Sequence, residues 1–245
     1  MKAKTSIQRI YMTQEDSKEI LVAREEFSHP NGKNLYVIFM PWHAGDMPFR
    51  LLINRLSRRN AVLAYWFSDN IISPDSMMTR NMYQYVGKTV SERIINLTKK
   101  QTYGEVRFIG MSLGTLASNI AAREYKNFDH ITLVCPGSFT KSLWFGQRTG
   151  DLRHAFEKNG MTLTQLLEDW KDIESLNNTG AFVGKRVKII TSIRDTHIPT
   201  VYQKEYITVA QADGVNPKIK KTIFGHYGTV IKYCLFGETF LTKDH

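Results

Sequence analysis

Three residues of this chain have the types and surroundings that acyl transfer through a covalent intermediate requires. Ser112 lies in Gly110-Met111-Ser112-Leu113-Gly114, a Gly-x-Ser-x-Gly pentapeptide. A serine hydroxyl is a weak nucleophile at neutral pH. It needs a base to take its proton, a carboxylate to orient that base, and N–H donors for the oxyanion. His226 is the candidate base, because Phe224-Gly225-His226-Tyr227-Gly228 sets an imidazole in a glycine-flanked segment that can bend to project it. Asp195 is the candidate acid, in Arg194-Asp195-Thr196-His197-Ile198-Pro199. An aspartate there also suits an ordinary turn or a helix cap before Pro199. The other strand end where an acid would serve, Pro136-Gly137-Ser138, carries no carboxylate.

These residues act together only if strands and helices bring them to one edge, and the patterning provides such elements. Residues 105–109 read as a short buried strand and 113–125 as an Ala-rich helix, so Ser112 sits on a tight strand-to-helix turn. Glycines at 110 and 114 leave room where strand and helix approach most closely. Residues 186–193 read as the strand before Asp195, and 218–224 as the strand before His226. Open α/β sheets place ligands outside the carboxyl ends of their strands, which is where all three fall.

Strand-like and helix-like segments alternate through the rest of the chain, the signature of a mainly parallel sheet. Residues 7–13, 20–27, 35–40, 61–67 and 131–135 complete the strands. Helices are expected over 48–59, 74–100, 199–212 and 228–235. An Asn-Gly turn between 20–27 and 35–40 predicts an antiparallel hairpin of those two strands. Residues 138–182 break the rhythm with helical patterning and Trp144, Phe145, Phe156 and Trp170, and read as a helical, cap-like insertion. Trp42, Trp144, Phe145 and Trp170 are candidate walls of an apolar acyl pocket, with core packing of the helical insertion at least as good a reading. No repeat, linker or low-complexity tract divides the chain, so one domain over 1–245 is expected.

The oxyanion donors should come from two places. One N–H is expected from Pro41-Trp42-His43-Ala44-Gly45-Asp46 after the 35–40 strand, with His43 and Trp42 as candidates. The other belongs to Met111 or Leu113, beside the serine. His43 is also open to readings as a second catalytic histidine, a metal ligand or a pocket-lining residue.

Ser112 in Gly-Met-Ser-Leu-Gly, then Asp195, then His226 resembles the α/β-hydrolase superfamily in its chain order of nucleophile, acid and base. The resemblance spans roughly residues 20–240. It implies an α/β-hydrolase fold: a mostly parallel twisted sheet of about eight strands, helices on both faces and a helical cap. It favours Leu113 as the second oxyanion donor. It further implies hydrolysis of a carboxylic ester or thioester of a small-molecule acyl substrate through an acyl-serine, with no metal or organic cofactor. The usual His-Gly of the oxyanion loop is replaced here by Pro-Trp-His-Ala-Gly. A non-catalytic binding protein on the same fold, or an acyltransferase using the same triad, are the alternatives.

Composition narrows the classes further. With 42% hydrophobic and 23% charged residues, the chain is composed as a globular enzyme is. No apolar run follows the first lysines and none reaches 18 residues, so neither a secretory signal nor a membrane span is expected, and a cytoplasmic location is the default. Two cysteines, Cys135 and Cys234, are too few for a disulfide framework. The net charge of +10 is spread over Arg55/Arg58/Arg59, Lys99/Lys100, Lys185/Arg186/Lys188 and Lys218/Lys220/Lys221. No nucleic-acid motif accompanies these clusters, and no nucleic-acid partner is expected.

Overall fold

The computed structural model describes residues 5–14, 17–43, 45 and 47–237. Its strands are β1 (Thr5–Thr13), β2 (Glu19–Ser28), β3 (Leu35–Phe39), β4 (Ala61–Phe67), β5 (Val106–Met111), β6 (His130–Val134), β7 (Arg186–Ser192) and β8 (Lys218–Thr222). They form one sheet in the order β1-β2-β4-β3-β5-β6-β7-β8. From β4 to β8 every pairing is parallel. β1 and β2 add antiparallel pairings at one edge.

The helices are α1 (Phe49–Leu56), α2 (Ser76–Lys100), α3 (Gly114–Glu124), α4 (Phe139–Phe145), α5 (Gly150–Lys158), α6 (Leu163–Asp169), α7 (Thr200–Ala212) and α8 (His226–Phe236). A 3₁₀ segment, Ser175–Phe182, follows α6. The continuous apolar run of β3 is explained by burial on both sides. Leu35, Val37 and Phe39 face a core shared with α2, α3, α7 and the segment between β6 and β7. Tyr36 and Ile38 face a second core built with α1 and α8. Helices therefore cover both faces, as parallel sheets require.

The expected hairpin of β2 and β3 does not form. β4 lies between them, with Phe27 opposite Leu63 and Val37 beside Leu63. The turn residues are bonded instead to the approach to β4: Lys33 N–H donates to Arg59 O at 2.9 Å, and Ala61 N–H to Asn34 O at 2.8 Å. Parallel pairing with β4 on one side and β5 on the other places β3 inside the sheet, where helices cover both of its apolar faces. The sheet's hairpin is β1–β2, with a register shift between Ile10 and Tyr11. No helix among the described residues is long and apolar enough to cross a membrane.

Candidate active site

Ser112 occupies the turn between β5 and α3 with φ 53°, in the left-handed region. That conformation costs a non-glycine residue about 1–3 kcal/mol, so its neighbours must hold it. They do so from both sides: Ser112 N–H donates to Val134 O at 2.9 Å, and Ser112 O accepts from Thr115 N–H at 2.9 Å and Thr115 Oγ1 at 2.7 Å. The flanking glycines are dictated by contact. A Cβ on Gly110 would lie 2.3 Å from Ser118 Oγ, and one on Gly114 would lie 2.2 Å from Phe39 O.

His226 is the first residue of α8, one position inside the helix and not in the loop before it, with Gly225 as the cap. Its Nε2 is 2.7 Å from Ser112 Oγ and its Nδ1 is 2.7 Å from Asp195 Oδ2. The three residues thus form one hydrogen-bonded chain across three strand ends. Asp195 is buried, and both roles its sequence allowed are present in one carboxylate. Oδ1 accepts from His197 N–H and Ile198 N–H at 2.9 Å each, as a turn aspartate does. Oδ2 faces the imidazole. Burial works to raise the Asp195 pKa. The hydrogen bond and charge of His226, with the two backbone N–H groups, overcome this and hold the carboxyl below its ordinary value.

Two residues around this chain carried no motif. Gln203 of α7 is buried, and its Nε2 donates to Asp195 Oδ2 at 2.9 Å and to Ile198 O at 2.8 Å. Its Oε1 accepts from Ser192 N–H at 3.1 Å, which ties the acid to the end of β7. The signal was a glutamine on the buried face that Tyr206 and Ala210 continue. His197 stacks on His226 with ring centroids 4.9 Å apart, and its two buried ring nitrogens have no hydrogen-bond partner among the described residues. Burial, and then the charge of His226, push the His197 pKa below its ordinary value.

Cys135, also at positive φ, completes the surroundings from behind. Its sulfur and one ligand atom each of Asp195 and His226 lie within 4.8 Å of one another, so these three are the candidate metal donors among the described residues. Burial, and then the Asp195 charge, push the thiol pKa well up. A thiol held protonated is a poor metal ligand, and Asp195 and His226 already bond to each other. Cys135 and Cys234 are both free and buried.

Ser112 and His226 open onto a cavity of about 600 Å³, walled by apolar side chains including Leu116, Phe139, Leu143, Leu152 and Val230. Trp42, His43 and Leu113 line it as well. The β3–α1 loop is tied to Asp69, whose main-chain O accepts from Trp42 Nε1 at 3.3 Å and whose Oδ1 is 2.7 Å from His43 Nδ1. Ala44 and Asp46 of that loop lie outside the described residues. Leu113 caps α3, and among the described residues its N–H has no acceptor. Met111 does not line the cavity, because it ends β5 with its side chain in the opposite core, where its Sδ is 3.8 Å from Cys234 Sγ.

Trp144 and Phe145 are corrected by the phase of α4. Phe139, Ser142 and Leu143 sit at i, i+3 and i+4 and face the cavity, which turns the next two residues away. Trp144 packs partly buried against the core, and Phe145 is half exposed beside Tyr202. Trp170 lies in the core, with its Nε1 donating to Ser76 O at 2.8 Å.

No family model matches the chain, and no curated protein sequence does. Solved structures do. The chain is similar to the acylaminoacyl peptidase of Pyrococcus horikoshii over its whole length, at TM-score 0.68 and 14% identity, and spans 43% of that protein. It is similar over 97% of its length to a cold-adapted esterase from an Arctic intertidal metagenomic library, covering 92% of it at TM-score 0.64 and 9% identity. It is similar over 95% of its length to acetyl xylan esterase 1 of Thermoanaerobacterium sp. JW/SL YS485, covering 88% of it at TM-score 0.62 and 14% identity. With six strands in parallel, an antiparallel edge and helices on both faces, the chain has the α/β-hydrolase fold.

Proposed function

We propose that the protein is a serine hydrolase that cleaves a carboxylic ester or thioester of a small-molecule acyl substrate through an acyl-serine intermediate. The observation that carries this reading is the Ser112–His226–Asp195 hydrogen-bonded chain, with both links at 2.7 Å, opening onto an apolar cavity. The similar structures, two esterases and a peptidase, support it.

Ser112 Oγ attacks the acyl carbon while His226 Nε2 takes its proton, and the carbonyl π electrons move onto oxygen. The Leu113 N–H, at the start of α3, is one donor to that oxyanion, and the β3–α1 loop at Trp42 or His43 supplies the other. Collapse of the tetrahedral species breaks the bond to the alcohol or thiol, which leaves with the proton from His226. Water repeats the sequence, and the carboxylic acid departs with Ser112 restored. Asp195, ionised throughout, holds the Nδ1–H tautomer and stabilises the imidazolium. Residues 138–182 act as a cap inserted in a single domain, with α4 and α5 forming one wall of the acyl site.

The test is turnover of p-nitrophenyl esters and acyl-thioesters across a series of chain lengths by the wild type and by Ser112→Ala. The reading expects saturable turnover in the wild type and a loss of at least about 10³-fold in the variant. Turnover that persists in Ser112→Ala sinks it. Product formed on an added alcohol or amine in preference to water would move the assignment from hydrolase to acyltransferase.

A further inference from the structure

Arg148 stands at the rim of the cavity that Ser112 and His226 open onto, in the turn between α4 and α5. We propose that it makes this site selective for acyl substrates that carry an anionic group, a carboxylate or a phosphate, alongside an apolar acyl portion. The proposal rests on the acyl-serine reading and names the class of substrate.

The first observation is the state of the guanidinium. Among the described residues, the arginines at 50, 80, 93, 107, 123, 153 and 186 are paired with carboxylates. Arg148 is exposed, and among the described residues it has no carboxylate within ion-pair distance. It lies over the ring of Tyr227 at 5.7 Å. An aromatic face holds an arginine in place by cation–π attraction without neutralising it. An arginine fixed in this way keeps its planar fork of donors available to carboxylate or phosphate oxygens.

The second observation is its placement. Tyr227 directly follows His226 in α8, and its ring packs edge-on against His197 at 4.8 Å. The charge of Arg148 is felt at His197, where it adds to the effect of burial and of His226. The guanidinium is therefore electrostatically coupled to the surroundings of the reacting atoms, while the walls below it are apolar. Among the described residues, Asp151 is the carboxylate that lines the same cavity. It lies in the first turn of α5, where the helix N-terminus already offsets a negative charge, whereas Arg148 rests on the Tyr227 ring with no carboxylate partner among the described residues. An anion is thus the charge this rim favours.

The test compares kcat/KM for the p-nitrophenyl monoester of glutaric acid, which is anionic on the acyl side, with that for neutral p-nitrophenyl butyrate. Butyryl-coenzyme A is a third arm, with its anionic phosphates on the leaving side. In Arg148→Ala the anionic-to-neutral ratio should fall about tenfold, and in Arg148→Glu further, while Arg148→Lys retains most of it. The wild-type preference should also shrink at 0.5 M NaCl, as exposed charges are screened. Whichever anionic arm responds identifies where the charge sits. An unchanged ratio in Arg148→Ala and Arg148→Glu, with Ser112→Ala inactive toward all three substrates, overturns the assignment and leaves the acyl-serine reading standing. Turnover persisting in Ser112→Ala defeats that reading and this one with it.

Discussion

The imidazole of His197 lies face to face with that of His226, with ring centroids 4.9 Å apart and planes 17° from parallel. The backbone N–H of His197 also donates to Asp195 Oδ1, so this one residue touches both partners of the serine. In the proposed mechanism, a protonated His197 would set a second cation against an imidazolium at His226. Burial, and then the His226 charge, lower its pKa and so favour its neutral form, with Asp195 opposing them.

That depression has a consequence for stability. A histidine whose folded pKa lies below its unfolded value of 6.5 adds stability above pH 6.5 that is lost as pH falls through the folded value. Urea midpoints at pH 7.5 and 5.5 should therefore drop more in the wild type than in His197→Phe, which keeps a ring and removes the titration. Equal drops in the two proteins would contradict this. Asp195 cannot mimic the effect. Its depressed pKa gives stability above the ordinary aspartate value, lost only as pH falls below about 4.

Asp195→Asn should lower kcat by about 10³- to 10⁴-fold, through loss of the correct imidazole tautomer, with KM little changed. Gln203→Ala should act more mildly on kcat. It should also cost about 1–3 kcal/mol of stability, because Ser192 N–H and Ile198 O lose a buried partner. Steady-state kinetics and urea unfolding on both variants check this. A Gln203→Ala protein as stable as the wild type would show that its bonds are replaceable.

Two glycine substitutions should have opposite signs. Gly114→Ala drives a methyl to 2.2 Å from Phe39 O and should destabilise by about 1–3 kcal/mol or more, with loss of activity. Gly150→Ala, at the first position of α5 with nothing within 4 Å, should be neutral or stabilising by up to about 1 kcal/mol. Denaturant unfolding of the pair decides, and similar losses at both would count against the close-approach argument.

The phase of α4 predicts which aromatic and aliphatic changes alter acyl-chain preference. Leu143→Trp should shift the optimum of a p-nitrophenyl ester series toward shorter chains, because Leu143 is a buried wall of the cavity. Phe145→Ala should leave the optimum in place and change stability by less than about 0.5 kcal/mol, since Phe145 is half exposed. The reverse pattern would mean that α4 presents its other face.

Much of this arrangement was legible because its signals are local. The pentapeptide around Ser112 and the strand-end placement of Asp195 and His226 depend on runs of five to ten residues. What was not legible depends on partners distant in sequence. Nothing near the Asn-Gly turn says that β4 will slide between β2 and β3, because that choice is made by the apolar faces of three strands together. Seven residues of α4 are too few to fix a helical phase, so the sequence carries the residue types of Trp144 and Phe145 and not their directions. Gln203 and His197 belong to no motif. Their roles arise from the packing of α7 and the Asp195 turn against one carboxylate.

The central claim is that Ser112 is the nucleophile, and covalent capture tests it most directly. The folded protein should be treated with a fluorophosphonate at pH 8 and the adduct located by peptide mass mapping. One adduct per chain is expected on Ser112, none in Ser112→Ala, and much slower labelling in His226→Ala. Labelling at another residue, or no labelling of a well-folded protein that still turns over esters, would contradict it.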